Sequence, residues 1–263
     1  MTSMPSVFLS HGAPTLVEEP HSPARAALVR LGSHLARPSA ILAVSAHWST
    51  DIPTVSSAVQ PSTVHDFYGF PQSLYRLAWP APGAPWLARQ VTELLAGAGM
   101  EAASDPGQGL DHGAWVPLML MYPGADIPVV QLSVQPGRDM AAHLALGRAL
   151  APLRRDGVLI MASGSSVHNL RSYRPGSPAV AGWATDFAGW LDRTLAAGDE
   201  AALAQWRQQA PGAAMAHPTD EHLLPLGVAL GAAGPAPRSE AFHSGFEHGS
   251  LGMHAWLFTA ASA

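Results

Sequence analysis

The chain contains no cysteine. That excludes disulfides, thiolate nucleophiles, thiolate zinc sites and cysteine-ligated iron–sulfur clusters. Lysine is also missing, and all 14 basic residues are arginine. Schiff-base catalysis through lysine and a P-loop lysine are therefore excluded. Charge of either sign is scarce: 13% of the residues are charged, about half of the roughly 25% usual in globular domains. The net charge is −5 and there is no basic cluster, so no nucleic-acid partner is expected. No apolar run reaches the ~18 residues of a membrane helix, and Met1 to Ser10 lacks the basic region of a signal peptide. The expectation is a soluble, cytoplasmic protein. With 48% hydrophobic residues over 263, the chain can build a sizeable core.

Apolar runs of strand length alternate with helical patterns. Strands are expected at Ser6–Ser10, Ala40–Ala46, Ile127–Val134, Gly157–Ser163 and Leu251–Thr259, with a further edge strand within Pro53–Pro61. Helices are expected at Ala24–Leu35, Pro85–Ala96, Ala114–Met121, Ala141–Leu153, Trp183–Ala196 and Glu200–Gln208. Another is expected to open at Thr219, carry His222 and run to about Leu230. The continuous apolar runs suit strands covered on both faces. The expected fold class is α/β: a mainly parallel or mixed central sheet with helices on both faces, in one domain over residues 1–263. Thr63–Gly83 is a long proline- and aromatic-rich loop, and loops of that length inside a domain are usually functional.

What the chain has in quantity is histidine, 13 in all. Four sit where an apolar run ends or a helical one starts: Ser10-His11-Gly12, Ala46-His47-Trp48, Val167-His168-Asn169 and Glu221-His222-Leu223. In an open α/β sheet the carboxyl ends of the strands share one rim, so His11 and His47 can meet there without sequence proximity. The competing reading is two rings that merely cap strand ends. His168 repeats the pattern after a Gly/Ser turn. His112, between Asp111 and Gly113, is open to either reading. Spacing alone gives His222 no advantage over His217. No H-E-x-x-H, no G-x-S-x-G elbow and no G-x-G-x-x-G after the first strand occurs.

Ordered blocks along the chain resemble the DODA-type, LigB-like class III extradiol ring-cleavage dioxygenases. They include Phe8-Leu9-Ser10-His11-Gly12-Ala13-Pro14, Ser45-Ala46-His47-Trp48, His65-Asp66-Phe67-Tyr68-Gly69-Phe70-Pro71 and Leu110-Asp111-His112-Gly113-Ala114-Trp115. Further blocks are Val167-His168-Asn169-Leu170, Pro218-Thr219-Asp220-Glu221-His222-Leu223-Leu224-Pro225, Ile127-Pro128-Val129-Val130-Gln131-Leu132-Ser133 and Gly249-Ser250-Leu251-Gly252-Met253. The resemblance implies a mononuclear non-haem metal, Fe(II) in the active enzyme and Zn(II) in some isolated ones. It implies O2-dependent cleavage of a small catechol beside its two hydroxyls. His11, His47 and His222 would be metal ligands, and His168 the catalytic residue or a fourth metal-site histidine. His112 would be a further catalytic histidine of the pocket. Catecholate chelation and O2 together need three positions of a six-coordinate ion, which leaves three for protein. One of the four rings must therefore act off the metal, and His168 is assigned that part.

His65 and Tyr68 in the long loop are expected to line the aromatic pocket. Arg171 and Arg174 are candidates for a substrate carboxylate, with surface exposure the competing reading. L-DOPA, caffeate-like acids and simpler catechols all stay open as substrates. Two other functions fit the same rings. One is a zinc hydrolase, with three histidines and an open position to activate water. The other is a non-catalytic metal- or peptide-binding relative.

Overall fold

A computed structural model describes residues 3–260. Its strands are β1 (Ser6–Ser10), β2 (Ala40–Ser49), β3 (Thr54–Ser56), β4 (Ala103–Asp105), β5 (Val129–Val134), β6 (Val158–Gly164), β7 (Arg238–His243), β8 (Phe246–Glu247), β9 (Leu251–Gly252) and β10 (Ala255–Thr259). The long helices are α1 (Pro23–His34), α2 (Pro85–Gly97), α3 (His112–Met121), α4 (Met140–Leu150) and α5 (Gly182–Ala196). Three short turns of helix follow, α6 (Glu200–Ala204), α7 (Trp206–Gln209) and α8 (Ala213–Ala216), and then α9 (Leu224–Ala232).

One eight-stranded sheet runs in the order β4-β3-β5-β2-β6-β1-β10-β7. Its centre, β5-β2-β6-β1, is parallel, and β10 and β7 join antiparallel. The sheet is thus mixed, as the α/β pattern allows. Period-two alternation divides its buried residues between two cores. Phe8, Leu42, Val44 and Ile160 face α2, α4, α5 and α9. Val7, Leu9, Ile41 and Met161 face α1 and α3. The carboxyl ends of β1, β2 and β6 therefore meet at one rim between two helical layers.

Several expected boundaries move. β2 continues to Ser49, so His47 lies within the strand's last turn of pleat rather than beyond it. The helix expected from Thr219 begins only at Leu224. Pro225 has no N–H to donate and fits only a first turn, so His222 sits in the tight turn just before the helix. Leu251–Thr259 splits into β9 and β10, and the helix expected over Glu200–Gln208 breaks at Gln205. The short polar strands β4 and β7 carry no apolar alternation, and sequence pattern does not reveal them.

Close backbone packing holds the His222 turn against the sheet. A Cβ placed on Gly164, at the end of β6, would lie 2.1 Å from the His222 carbonyl oxygen. The Ser165 N–H donates to that same carbonyl at 2.9 Å. Gly164→Ala is expected to push the turn away from the rim, costing about 1–3 kcal/mol by overpacking. Chemical denaturation would read the cost, and metal analysis would show His222 displaced from its partners.

Candidate metal centre

Pro117 lies inside α3, where it cannot donate to the carbonyl four residues earlier. That carbonyl, Gly113 O, instead accepts the hydroxyl proton of Ser163 from β6. With its proton committed, Ser163 Oγ accepts from His11 Nδ1–H at 3.0 Å. His11 is therefore the tautomer with a bare Nε2. His222 reaches the same state by another route. Its Nδ1–H donates to Glu221 Oε1 at 3.0 Å, an oxygen also held by the Thr219 hydroxyl. His47 Nδ1 faces Asp66 Oδ2 at 3.5 Å.

All three rings thus turn Nδ1 outward to an oxygen acceptor and Nε2 inward. Such outer partners fix ring orientation and raise ligand basicity in metal sites. The inward nitrogens converge: His11 Nε2 and His47 Nε2 are 3.0 Å apart, and His222 supplies the third donor atom within 4.8 Å of both. His222 Nε2 is buried with no hydrogen-bond partner. A cation among these three nitrogens would satisfy the bare Nε2 of His11 and the orphaned Nε2 of His222 and draw in that of His47. Two nitrogens each about 2.1 Å from a metal, at a right angle to each other, would be about 3 Å apart. The donor set fits a divalent metal held by His11, His47 and His222.

His112 opens α3 and leans on the same carboxylate. Its backbone N–H and its Nδ1 both donate to Asp66, each at 2.9 Å. Burial pushes the Asp66 carboxyl up, but the His112 hydrogen bonds and charge outweigh it and hold it down at about 2. Asp66 therefore stays ionised and aims His47 and His112 together. Sequence reasoning quoted Asp66 only as part of a motif and gave neither Asp66 nor Ser163 a part. Asp66 lies 46 residues from His112 and 19 from His47, and Ser163 lies 152 from His11, so only the fold joins them.

His168 stacks flat on His222, with ring centroids 3.5 Å apart and planes 9° apart. It belongs to the wall of a cavity of about 590 Å³ above the three converging nitrogens. His112, Phe67, Phe70, Leu170, Tyr173 and Met253 also line that cavity. Burial lowers His168 to about 4, so its ring is neutral near pH 7.

The expected pocket roles of His65 and Tyr68 need correction. Tyr68 is 90% exposed and outside the cavity lining. Along the extended loop neighbouring side chains point opposite ways, so Phe67 enters and Tyr68 leaves. His65 Nε2 donates to the Leu77 carbonyl, and its ring packs on Phe67 and Trp115, behind the wall. Arg171 and Arg174 are exposed and not part of the lining. His217 and His254, buried outside the cavity, are structural: each bonds to Ser166.

Residues 5–259 match the family described as the catalytic LigB subunit of aromatic ring-opening dioxygenase. The chain belongs to the LigB family. Among its LigB-family relatives is a 4,5-DOPA dioxygenase extradiol of Beta vulgaris, 44% identical over 96% of both chains. A protein of the same name from Escherichia coli K12 is 41% identical, over 96% of this chain and 93% of its own. The crystal structure of an uncharacterized Escherichia coli K12 protein superposes with a TM-score of 0.82 at 36% identity, covering 97% of this chain and 99% of that one. This LigB chain is thus an enzyme of the ring-opening dioxygenase class. Among the described residues no helix is long and apolar enough to cross a membrane.

Two predictions arise here. Asp66→Asn removes the charge that aims two histidines, and a tenfold to roughly hundredfold loss of metal affinity is expected, read by competition with a chelator. The second concerns acid. Burial lowers His217 to about 3 and His254 to about 4, well below the unfolded value near 6.5. Between those values the unfolded chain binds protons that the folded chain refuses. Stability is full above about pH 6.5 and falls as pH drops toward the folded values. At pH 5.5 these two rings alone should remove about 3 kcal/mol relative to pH 7.5, measured by urea unfolding.

Proposed function

We propose that this chain is a non-haem Fe(II)-dependent extradiol dioxygenase. It opens the ring of a catechol with O2, and residues 1–263 act as one catalytic domain. The observation that carries the reading is the convergence of a ring nitrogen from each of His11, His47 and His222 beneath an aromatic-walled cavity. Their chemistry also accepts Zn(II), which is the ion expected in protein isolated without iron. Bound there, Fe(II) would supply the charge that favours catecholate and the redox chemistry that O2 requires.

The remaining residues act on the catechol itself. Phe67 and Phe70 flank the ring and keep water from the cavity. His112 donates Nδ1–H to Asp66, which leaves its Nε2 to accept a proton from a substrate hydroxyl. His168 has no hydrogen bond to its ring from the described residues and is neutral at working pH. It takes a proton from the incoming catechol as general base and returns one to an oxygen of the opened ring. Catechol and O2 are consumed one to one, and both oxygen atoms end in the product.

Anaerobic loading with Fe(II), then catechol, then O2, tests this reading. A yellow ring-opened product with matched O2 uptake supports it. Turnover of ester or amide substrates by the zinc form without O2 would replace it with the hydrolase reading. Full metal occupancy with neither activity would leave a binding protein.

A further inference from the structure

The wall of the cavity is uncharged. Apart from the histidines, none of its lining residues is acidic or basic, and the chain has no lysine to extend into it. The arginines that flank the mouth in sequence are Arg171 and Arg174, on the short 3₁₀ turn Leu170–Ser172 and the residues after it. In 3₁₀ geometry residues three apart eclipse one another. Leu170 and Tyr173 form one such pair, and both line the cavity. Arg171 and Arg174 are exposed to solvent and lie outside the lining. Asn169 locks this orientation, with its Oδ1 accepting the Arg171 N–H at 3.0 Å and its Nδ2 donating to Met215 O at 2.6 Å.

Two further features point the same way. Leu170 is 63% exposed and Tyr173 39%, large apolar surfaces left bare at the mouth. The charges that lie behind the floor are both negative, Asp66 and Glu221, and each already holds a ligand's Nδ1. An anionic tail on the substrate would meet no cation inside and a negative background. An ammonium would meet no carboxylate on the wall. A neutral apolar tail would cover Leu170 and Tyr173 and gain by it.

We infer that the substrate is a catechol whose ring substituent is uncharged and apolar, and that Leu170 and Tyr173 are the residues that read it. This rests on the ring-cleavage reading above and narrows it. It sets the chain apart from a site built for the zwitterionic side chain of DOPA. A charged tail seated against Leu170 loses water without gaining a partner, so selection acts against it.

The test uses the full-length iron-loaded protein and four catechols with similar tails: 4-propylcatechol, 3,4-dihydroxyphenylpropionate, dopamine and L-DOPA. Dissociation constants come from anaerobic calorimetry and kcat/KM from O2 uptake. 4-Propylcatechol is expected to exceed each charged analogue by at least about tenfold in both. Leu170→Arg should improve binding of the propionate and weaken that of 4-propylcatechol, with iron content unchanged. Equal or better binding of L-DOPA, or of either singly charged analogue, would overturn the inference. Selective anaerobic binding of 4-propylcatechol without turnover would sustain it while refuting ring cleavage. Binding of none of the four would overturn both.

Discussion

His47→Ala is expected to lose metal and activity together. The ring supplies one of three inward Nε2 atoms, 3.0 Å from that of His11. Without it, two donors remain where a facial set needs three. Disturbing only an outer partner of a ligand typically costs tenfold to roughly hundredfold in metal affinity, so removing the ligand should exceed that. Gel-filtered variant should carry little iron or zinc by metal analysis, and ring cleavage should fall below detection. Heat gives a second readout. A metal at about a hundredfold excess over its Kd stabilises by ~2.7 kcal/mol, which is roughly 5–10 °C in Tm for a chain of this size. Wild type should show that rise on metal addition and His47→Ala should not. Stoichiometric metal in purified His47→Ala would sink the assignment of the centre.

Legibility in the sequence followed the reach of local pattern. The strand-end placement of His11 and His47 was readable because buried parallel strands announce themselves as unbroken apolar runs, and their carboxyl ends share a rim. The mixed α/β sheet was readable for the same reason. His222 was not readable from spacing. The pattern drew a helix through it, whereas Pro225 forces the helix to begin at Leu224 and leaves the ring on a turn. Only the family motif singled it out over His217. That other ring lies wholly buried, with Nε2 on the Ser166 carbonyl.

The outer partners were invisible for a different reason. Asp66 reaches His112 across 46 positions and Ser163 reaches His11 across 152, contacts that exist only once β1, β2, β6 and the long loop are assembled. Pro117 shows how indirect such wiring is: a missing helical hydrogen bond frees a carbonyl, the carbonyl fixes a serine proton, and the serine fixes a ligand tautomer. Tyr68 failed as a pocket residue because residue type does not report which way a loop side chain points. Phe67 and Phe70, its neighbours in the same motif, are the ones that face the cavity.

His168→Ala is expected to keep the metal and lose turnover. A ligand's lone pair lies in the plane of its ring, so the point at which His222 Nε2 aims lies in the His222 plane. The His168 ring runs parallel to that plane, 3.5 Å away and tilted by 9°. A nitrogen on it cannot approach the same point within a bonding distance of about 2.1 Å. Stacking thus places His168 beside the centre and facing the cavity, rather than on the metal. Burial holds it at about 4, so near pH 7 it arrives neutral and able to accept a catechol proton. Loss of a positioned general base typically lowers kcat by 10²- to roughly 10⁴-fold. Iron content should stay near one per chain, and anaerobic catechol affinity should change by less than about tenfold, because the ligands and aromatic walls are untouched. Added imidazole, small enough for the space left by the ring, should restore part of the rate, and a purely structural role would show no such rescue. Loss of most iron from the variant would place His168 on the metal instead, and the proton would then have to pass through His112, whose Nε2 is the other acceptor facing the substrate.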